Sequence, residues 1–125
     1  MRFYHIINSR RTAGLTIATR ISEPIEATPG HGRLVECAIS YCAPIESCFS
    51  RPRGRMIAES RLSNRKAMPP FKRFSFFTGD PKGLKAQILC FLQGALPLGW
   101  ARELIHKELW RLRAIEAAKK AAGRP

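Results

Sequence analysis

Residues 32–42, GRLVECAISYC, alternate along the chain: Leu34, Glu36, Ala38, Ser40 and Cys42 fall on one side of an extended backbone, and Arg33, Val35, Cys37, Ile39 and Tyr41 on the other. A two-residue period reads as a strand, and a strand must pair its backbone N–H and C=O groups with neighbours. This segment therefore commits the chain to a sheet. Two partners precede it. RFYHIIN (2–8) and GLTIATRI (14–21) are rich in β-branched and aromatic residues, with a turn-like SRRTAG between them. ISEPIEATPGHG then breaks the pattern with Pro24, Pro29, Gly30 and Gly32. Three antiparallel strands, or hairpins, are the natural arrangement. FKRFSFF (71–77), after the break at Met68-Pro69-Pro70, alternates and supplies a fourth.

The period changes elsewhere. A helix is predicted over 50–66, capped by Ser50 and started by Pro52, whose missing N–H costs nothing in a first turn. Met56, Ile57 and Leu62 supply its apolar stripe. Gly54 weakens it by about 1 kcal/mol relative to Ala and marks a place where another group approaches the backbone closely. Asp80-Pro81 is a second helix start. The segment 82–96 carries Leu84, Ile88, Leu89 and Leu92 on one face. Pro97 and Gly99 separate it from a last helix, Trp100 to Ala122, with Leu104, Ile105, Leu109, Leu112 and Ile115 toward the core and Gly123 at its end. The expected fold is a single α+β domain over 1–125: strands through 48, a central helix over 50–66, a strand over 71–77 and two C-terminal helices over 82–122. The antiparallel sheet has about four strands.

The formal net charge is +13, from 22 Lys and Arg against nine Asp and Glu. Such a chain repels itself and attracts polyanions. Fifteen of the 22 cations are Arg, whose planar fork suits two-pronged contacts to phosphate. Cys37, Cys42, Cys48 and Cys90 form no C-x-x-C, and His5, His31 and His106 are scattered, so no metal site is expected. The start, MRFYHIINSRR, has no apolar core of a signal peptide, which points to a reduced intracellular setting with the cysteines as small core fillers. The apolar stretch GLKAQILCFLQGALPLGW is too short and too polar to span a bilayer, so no membrane partner is expected.

Function is most legible between Arg51 and Arg73, where eight basic residues accompany one acid. On a helix Arg51 and Arg55 share a face, as do Arg61 and Arg65. Guanidinium groups beside the N–H groups of a helix start form a cradle for phosphate. Arg51, Arg53, Arg55 and Arg61 are the candidate ligand contacts here, and a solvated basic face is the alternative. Phe74 and Phe76 face one way on their strand, with Phe71 and Phe77 opposite. Most of these rings belong in the core, and one could stack on a base. The last helix offers Arg111 and Arg113, with Arg102, His106, Lys107 and Trp110 near them. No P-loop, H-E-x-x-H or G-x-S-x-G occurs, so neither an enzyme, a catalytic residue nor a cofactor is expected.

The block CAPIESCFSRPRGRMIAESRL, Cys42 to Leu62, resembles a pattern in small phage-encoded accessory proteins, C-S-P-x-D-x-F-x-R-x-x-G-R-x-x-A-x-x-R-L. Cys42, Pro44, Phe49, Arg51, Gly54, Arg55, Ala58, Arg61 and Leu62 match it. Ala43 stands where the pattern has Ser, Glu46 or Ser47 where it has Asp, and one extra residue separates Pro44 from Phe49. Among such proteins the chain is similar to the Thoeris anti-defence sponge of the first type. That resemblance implies a β-sheet followed by helices, assembly into a homo-oligomer, and location in the host cytoplasm. It also implies capture, without catalysis, of a cyclic ADP-ribose isomer or a cyclic oligonucleotide, with Arg51, Arg55 or Arg61 on its phosphates. The choice of Arg111 and Arg113 rests on helix chemistry alone. Two other readings stand beside it: a basic RNA- or DNA-binding accessory protein, including an inhibitor of a nucleic-acid-guided nuclease, which fits the charge, and a protein-interaction module, which predicts an exposed apolar patch around Trp100 and Trp110.

Overall fold

Four strands form one antiparallel sheet in the order β1-β2-β3-β4, with β1 Arg2–Ile7, β2 Gly14–Ile21, β3 Arg33–Cys42 and β4 Arg73–Thr78. Three helices complete the chain: α1 Arg51–Ser63, α2 Leu84–Ala95 and α3 Gly99–Ala122. The computed structural model describes residues 1–22, 32–43, 49–64, 66–79 and 83–123. The Asp80-Pro81 helix start, His31, Glu46, Cys48 and Arg65 lie outside them. The fold is α+β, as the two periodicities predict.

Register fixes which side chains share a face. Ile17 pairs with Ile39 and Tyr4 pairs with Ile17, and Cys37 pairs with Phe74. Leu15, Ile17, Val35, Cys37, Ile39 and Phe74 accordingly line one face, and α2 and α3 cover it. Leu84, Ile88, Leu89 and Leu92 of α2 and Ala101, Ile105 and Leu109 of α3 fill the layer between. Each fully buried Leu or Ile there is worth about 1.5–3 kcal/mol of burial. Lys85 of α2 and Arg111 of α3 both grip Glu108, the lysine at 2.9 Å. Ile115, read as core-facing, is instead exposed, because every residue of α3 beyond Leu112 has left the sheet behind.

The opposite face carries α1, and here the expected stripe holds only in part: Leu62 is buried and Ile57 half-buried, but Met56 points to solvent. Met56 is 65% exposed, and the buried residues are Gly54, Ala58 and Leu62. They recur every four residues, one face of a helix. The sheet beneath them presents Thr16, Ala18 and Ala38. Small residues on both sides let the helix lie close. A Cβ at Gly54 would stand 2.3 Å from Thr16 Oγ1. The close approach expected of Gly54 is thus made by Thr16.

Other boundaries also shift. β4 starts at Arg73 rather than 71; Phe71 sits in the preceding turn and packs on the α2–α3 side against Tyr41, not opposite Phe74. α1 ends at Ser63, three residues early, and Arg73 explains how: its Nη1 donates to the Arg61 carbonyl at 3.3 Å and its Nη2 to the Lys66 carbonyl. A cation on those orphan acceptors also suits the negative end of the helix. Cys37 is a core filler whose thiol is pushed up to about 12 by burial, whereas Cys90 is exposed.

In an open helix Gly54→Ala would gain about 1 kcal/mol of helix propensity. Against Thr16 it is expected to lower stability by about 1–3 kcal/mol through overpacking, read as a drop in the urea midpoint. An unchanged or raised midpoint would mean that α1 does not lie this close. A second expectation concerns acid. Hydrogen bonding to Arg111 and Lys85 lowers the Glu108 carboxyl from 4.5 to about 2. Its contribution is complete above pH 4.5 and is lost as pH falls toward 2. Glu108→Gln should flatten that part of the stability–pH curve.

Candidate anion site at the start of the first helix

Two loops meet where α1 begins. In the β1–β2 turn the Asn8 side chain accepts from the Thr12 N–H at 2.9 Å and the Ala13 N–H at 3.1 Å, a local closure typical of Asn. Arg11 there adopts φ 56°, and its carbonyl accepts the Phe49 N–H at 3.1 Å. The Phe49 ring lies over Gly14, where a Cβ would come within 2.9 Å of it. Phe49 also meets His5 edge-on, with ring centres 6.0 Å apart. Loop, aromatic ring and helix start are thereby fixed to the end of the sheet.

His5 is the centre of this arrangement. Its Nδ1 lies 3.0 Å from Thr16 Oγ1, and Thr16 is the residue under Gly54. Burial, then the charges of Arg51 and Arg55, hold the imidazole below its usual 6.5, so it is neutral at neutral pH. Thr16 is fully buried, which withholds its hydroxyl from any ligand. The His–Thr pair consequently orients the ring and offers no nucleophile.

Arg51, Arg53 and Arg55 are all exposed, and α1 has no acidic residue in its first turn. Among the described residues none of the three has an ion-pair partner. Arg10 and Arg11, on the loop tied to Phe49, are exposed as well. Backbone donors are scarcer than the sequence suggests. Pro52 has no N–H, the Arg53 N–H is capped by Ser50 Oγ at 3.4 Å, and the Gly54 N–H bonds the Ser50 carbonyl. Only the Arg51 N–H is left in that turn among the described residues. Any anion here is held by side chains.

The other candidate residues do not join this group. Arg61 lies ten residues along α1, about 15 Å by helical rise, and its guanidinium donates to the Ile39 carbonyl. Phe74 is buried on the opposite face of the sheet, stacked on Phe91 at 4.4 Å, with Phe76 beside them. Neither ring can stack on a base held by α1. Arg111 is bound to Glu108, and Arg113, though exposed, stands on α3 across the sheet. Arg102 donates to the Leu96 carbonyl at 2.8 Å, and the exposed Trp110 donates to His106 Nε2 at 3.0 Å. Sequence reasoning missed His5, Thr16 and Phe49 as a unit, because they come from three separate elements. The one available signal was the Arg10-Arg11 pair in the first turn. No three His, Cys, Asp or Glu side chains gather among the described residues to hold a metal ion. No described helix is long and apolar enough to cross a membrane. Comparison with family models, with curated proteins and with solved structures gave no match.

The influence of the Arg51 and Arg55 charges on His5 has a direct readout. The His5 imidazole should titrate below 6.5 by NMR, and Arg55→Ala should move its midpoint up toward that value. Phosphate bound beside it should also raise the midpoint, since an anion favours the charged ring. A midpoint insensitive to both would remove His5 and Arg55 from a common site.

Proposed function

We propose that this protein captures a phosphate-bearing nucleotide at the start of α1 and holds it without turnover. The observation that carries this reading is the set of exposed guanidinium groups of Arg51, Arg53 and Arg55, without an ion-pair partner among the described residues, two of which, Arg51 and Arg55, act on the His5 imidazole. Each charge-assisted hydrogen bond to phosphate contributes about 1.5–3 kcal/mol. The neutral ring adds no charge of its own and can donate or accept, while its hydroxyl partner is buried. Binding groups without an activated nucleophile suit sequestration and not catalysis.

The resemblance of Cys42–Leu62 extends the proposal to its biology. A phage-type immune-evasion protein of this kind, working in the host cytoplasm, would remove a cyclic ADP-ribose isomer or cyclic oligonucleotide from a defence pathway. One chain presents its guanidiniums on an exposed surface. Enclosing a ligand would then fall to a second copy in a homo-oligomer, a common setting for pockets.

A second reading is favoured by that same openness. Exposed cations at the α1 start, with Arg113, Lys119 and Lys120 on the far side, spread charge as a nucleic-acid-binding accessory protein does, including an inhibitor of a nucleic-acid-guided nuclease. Salt separates the two. A polyanion binder that neutralises six to ten phosphates loses about 10³–10⁵ in affinity between 50 and 200 mM salt. Capture of one small nucleotide loses far less.

Calorimetry with a cyclic dinucleotide or cyclic ADP-ribose should show binding that Arg55→Ala weakens at least tenfold, with the fold intact by circular dichroism. Unchanged affinity in that variant would refute the placement. Denaturing the complex should return the nucleotide intact; a cleaved product would identify an enzyme.

A further inference from the structure

α1 stops at Ser63, but the sheet beneath it continues. Past the row Ala18–Ala38–Arg73, the next paired row is Arg20–Glu36–Ser75, one residue from each of three adjacent strands. No described helix covers it on the α1 side. Row and helix end together form a cleft of about 630 Å³, whose lining includes Leu62, Ser63, Asn64 and Arg73. That volume falls within the range of small-molecule sites.

We propose that this cleft is a second binding site, for a phosphate monoester that carries adjacent hydroxyl groups. Its donors and acceptors differ in kind from those at the α1 start. Arg73 is tethered by the Arg61 and Lys66 carbonyls, which use one hydrogen from each of two nitrogens. Its remaining N–H groups are thereby presented in a fixed orientation, and little rotamer freedom is lost when phosphate binds. Asn64 accepts the Lys66 N–H through Oδ1, which leaves its amide nitrogen as a further donor. Ser63 and Ser75 add hydroxyls that adapt to either role.

Glu36 supplies the selectivity. Its Oε2 meets Arg20 Nη2 at 3.2 Å, and both side chains are well exposed, 48% for Arg20 and 37% for Glu36. Such a pair contributes little to stability and exchanges partners readily. A carboxylate accepts hydrogen bonds from paired sugar hydroxyls, as acidic residues do for ribose in dinucleotide sites. It also repels a bare anion, so a ligand that offers only phosphate is disfavoured. Phosphate on Arg73 with hydroxyls on Glu36 satisfies both groups at once. The cleft lies about 18 Å along α1 from Arg51 by helical rise, so it does not depend on the reading given for that end.

Ribose 5-phosphate and inorganic phosphate, titrated by calorimetry into the full chain, are the probes. Ribose 5-phosphate is expected to bind one per chain, at least tenfold more tightly than inorganic phosphate. Glu36→Gln should erase that preference, and Ser75→Trp, a surface change that fills the cleft, should abolish binding. Arg55→Ala should leave it intact, whatever happens to nucleotide capture at the α1 start. Binding of a nucleoside 5′-monophosphate, which keeps its 2′- and 3′-hydroxyls free, that also fails in Ser75→Trp would identify a mononucleotide as the source; its absence would identify a free sugar phosphate. No heat from ribose 5-phosphate at millimolar concentration, binding that survives Ser75→Trp, or binding lost in Arg55→Ala would each overturn the assignment.

Discussion

The approach of Gly54 to Thr16 decides where the rest of the α1 side of the molecule lies. No larger residue fits at that point, and Ala58 and Leu62 continue the contact over Ala18 and Ala38. A helix seated this low is restrained against sliding by shape, since a larger side chain brought to the Gly54 position would clash with Thr16. Both ends of α1 inherit their positions from it. The start is brought against His5 and Phe49, and the end falls short of the Arg20–Glu36–Ser75 row. A binding surface and a cleft thus arise from one packing constraint.

Thr16 serves two partners in this scheme. Its side chain faces Gly54 and its hydroxyl meets His5 Nδ1. Helix position and ring orientation are therefore coupled through a single buried side chain. A shift of α1 away from the sheet would loosen the hydroxyl as well as the helix. The coupling also explains why a polar residue is tolerated at full burial, because its hydrogen bond is satisfied locally.

The antiparallel sheet was legible because β3 alternates without interruption and the two segments before it are rich in β-branched and aromatic residues. α2 was legible because Leu84, Ile88, Leu89 and Leu92 form a strong stripe. α1 misled for a physical reason. Two of its three buried residues, Gly54 and Ala58, are too small to stand out as an apolar stripe beside Leu62, while the exposed Met56 carries a large signal. The arginines misled in a different way. Arg61 and Arg102 donate to backbone carbonyls, and charge pattern cannot distinguish such a structural donor from a ligand contact. Arg51, Arg53 and Arg55 are exposed and enter no ion pair among the described residues. Phe74 and Phe76 share a face as strand periodicity requires, but only topology could show that α2 claims that face.

The two ends of α1 present cations in opposite physical states, which suits the two proposed sites to different kinds of recognition. At the start, long exposed Arg side chains stand without ion-pair partners among the described residues, and two of them, Arg51 and Arg55, act on the His5 imidazole through their charge. They attract anions over distance and raise association rates, and each must be ordered when the ligand binds. At the far end, the Arg73 guanidinium is already fixed by two carbonyls, and a carboxylate stands across the cleft. Charge attraction is weaker there, since Glu36 offsets it, but little order remains to be imposed. A surface of the first kind gathers phosphate with modest discrimination among ligands, whereas one of the second kind discriminates by the position of hydroxyl groups. The same positive net charge therefore supports steering at one end and selection at the other, separated by the length of a single helix.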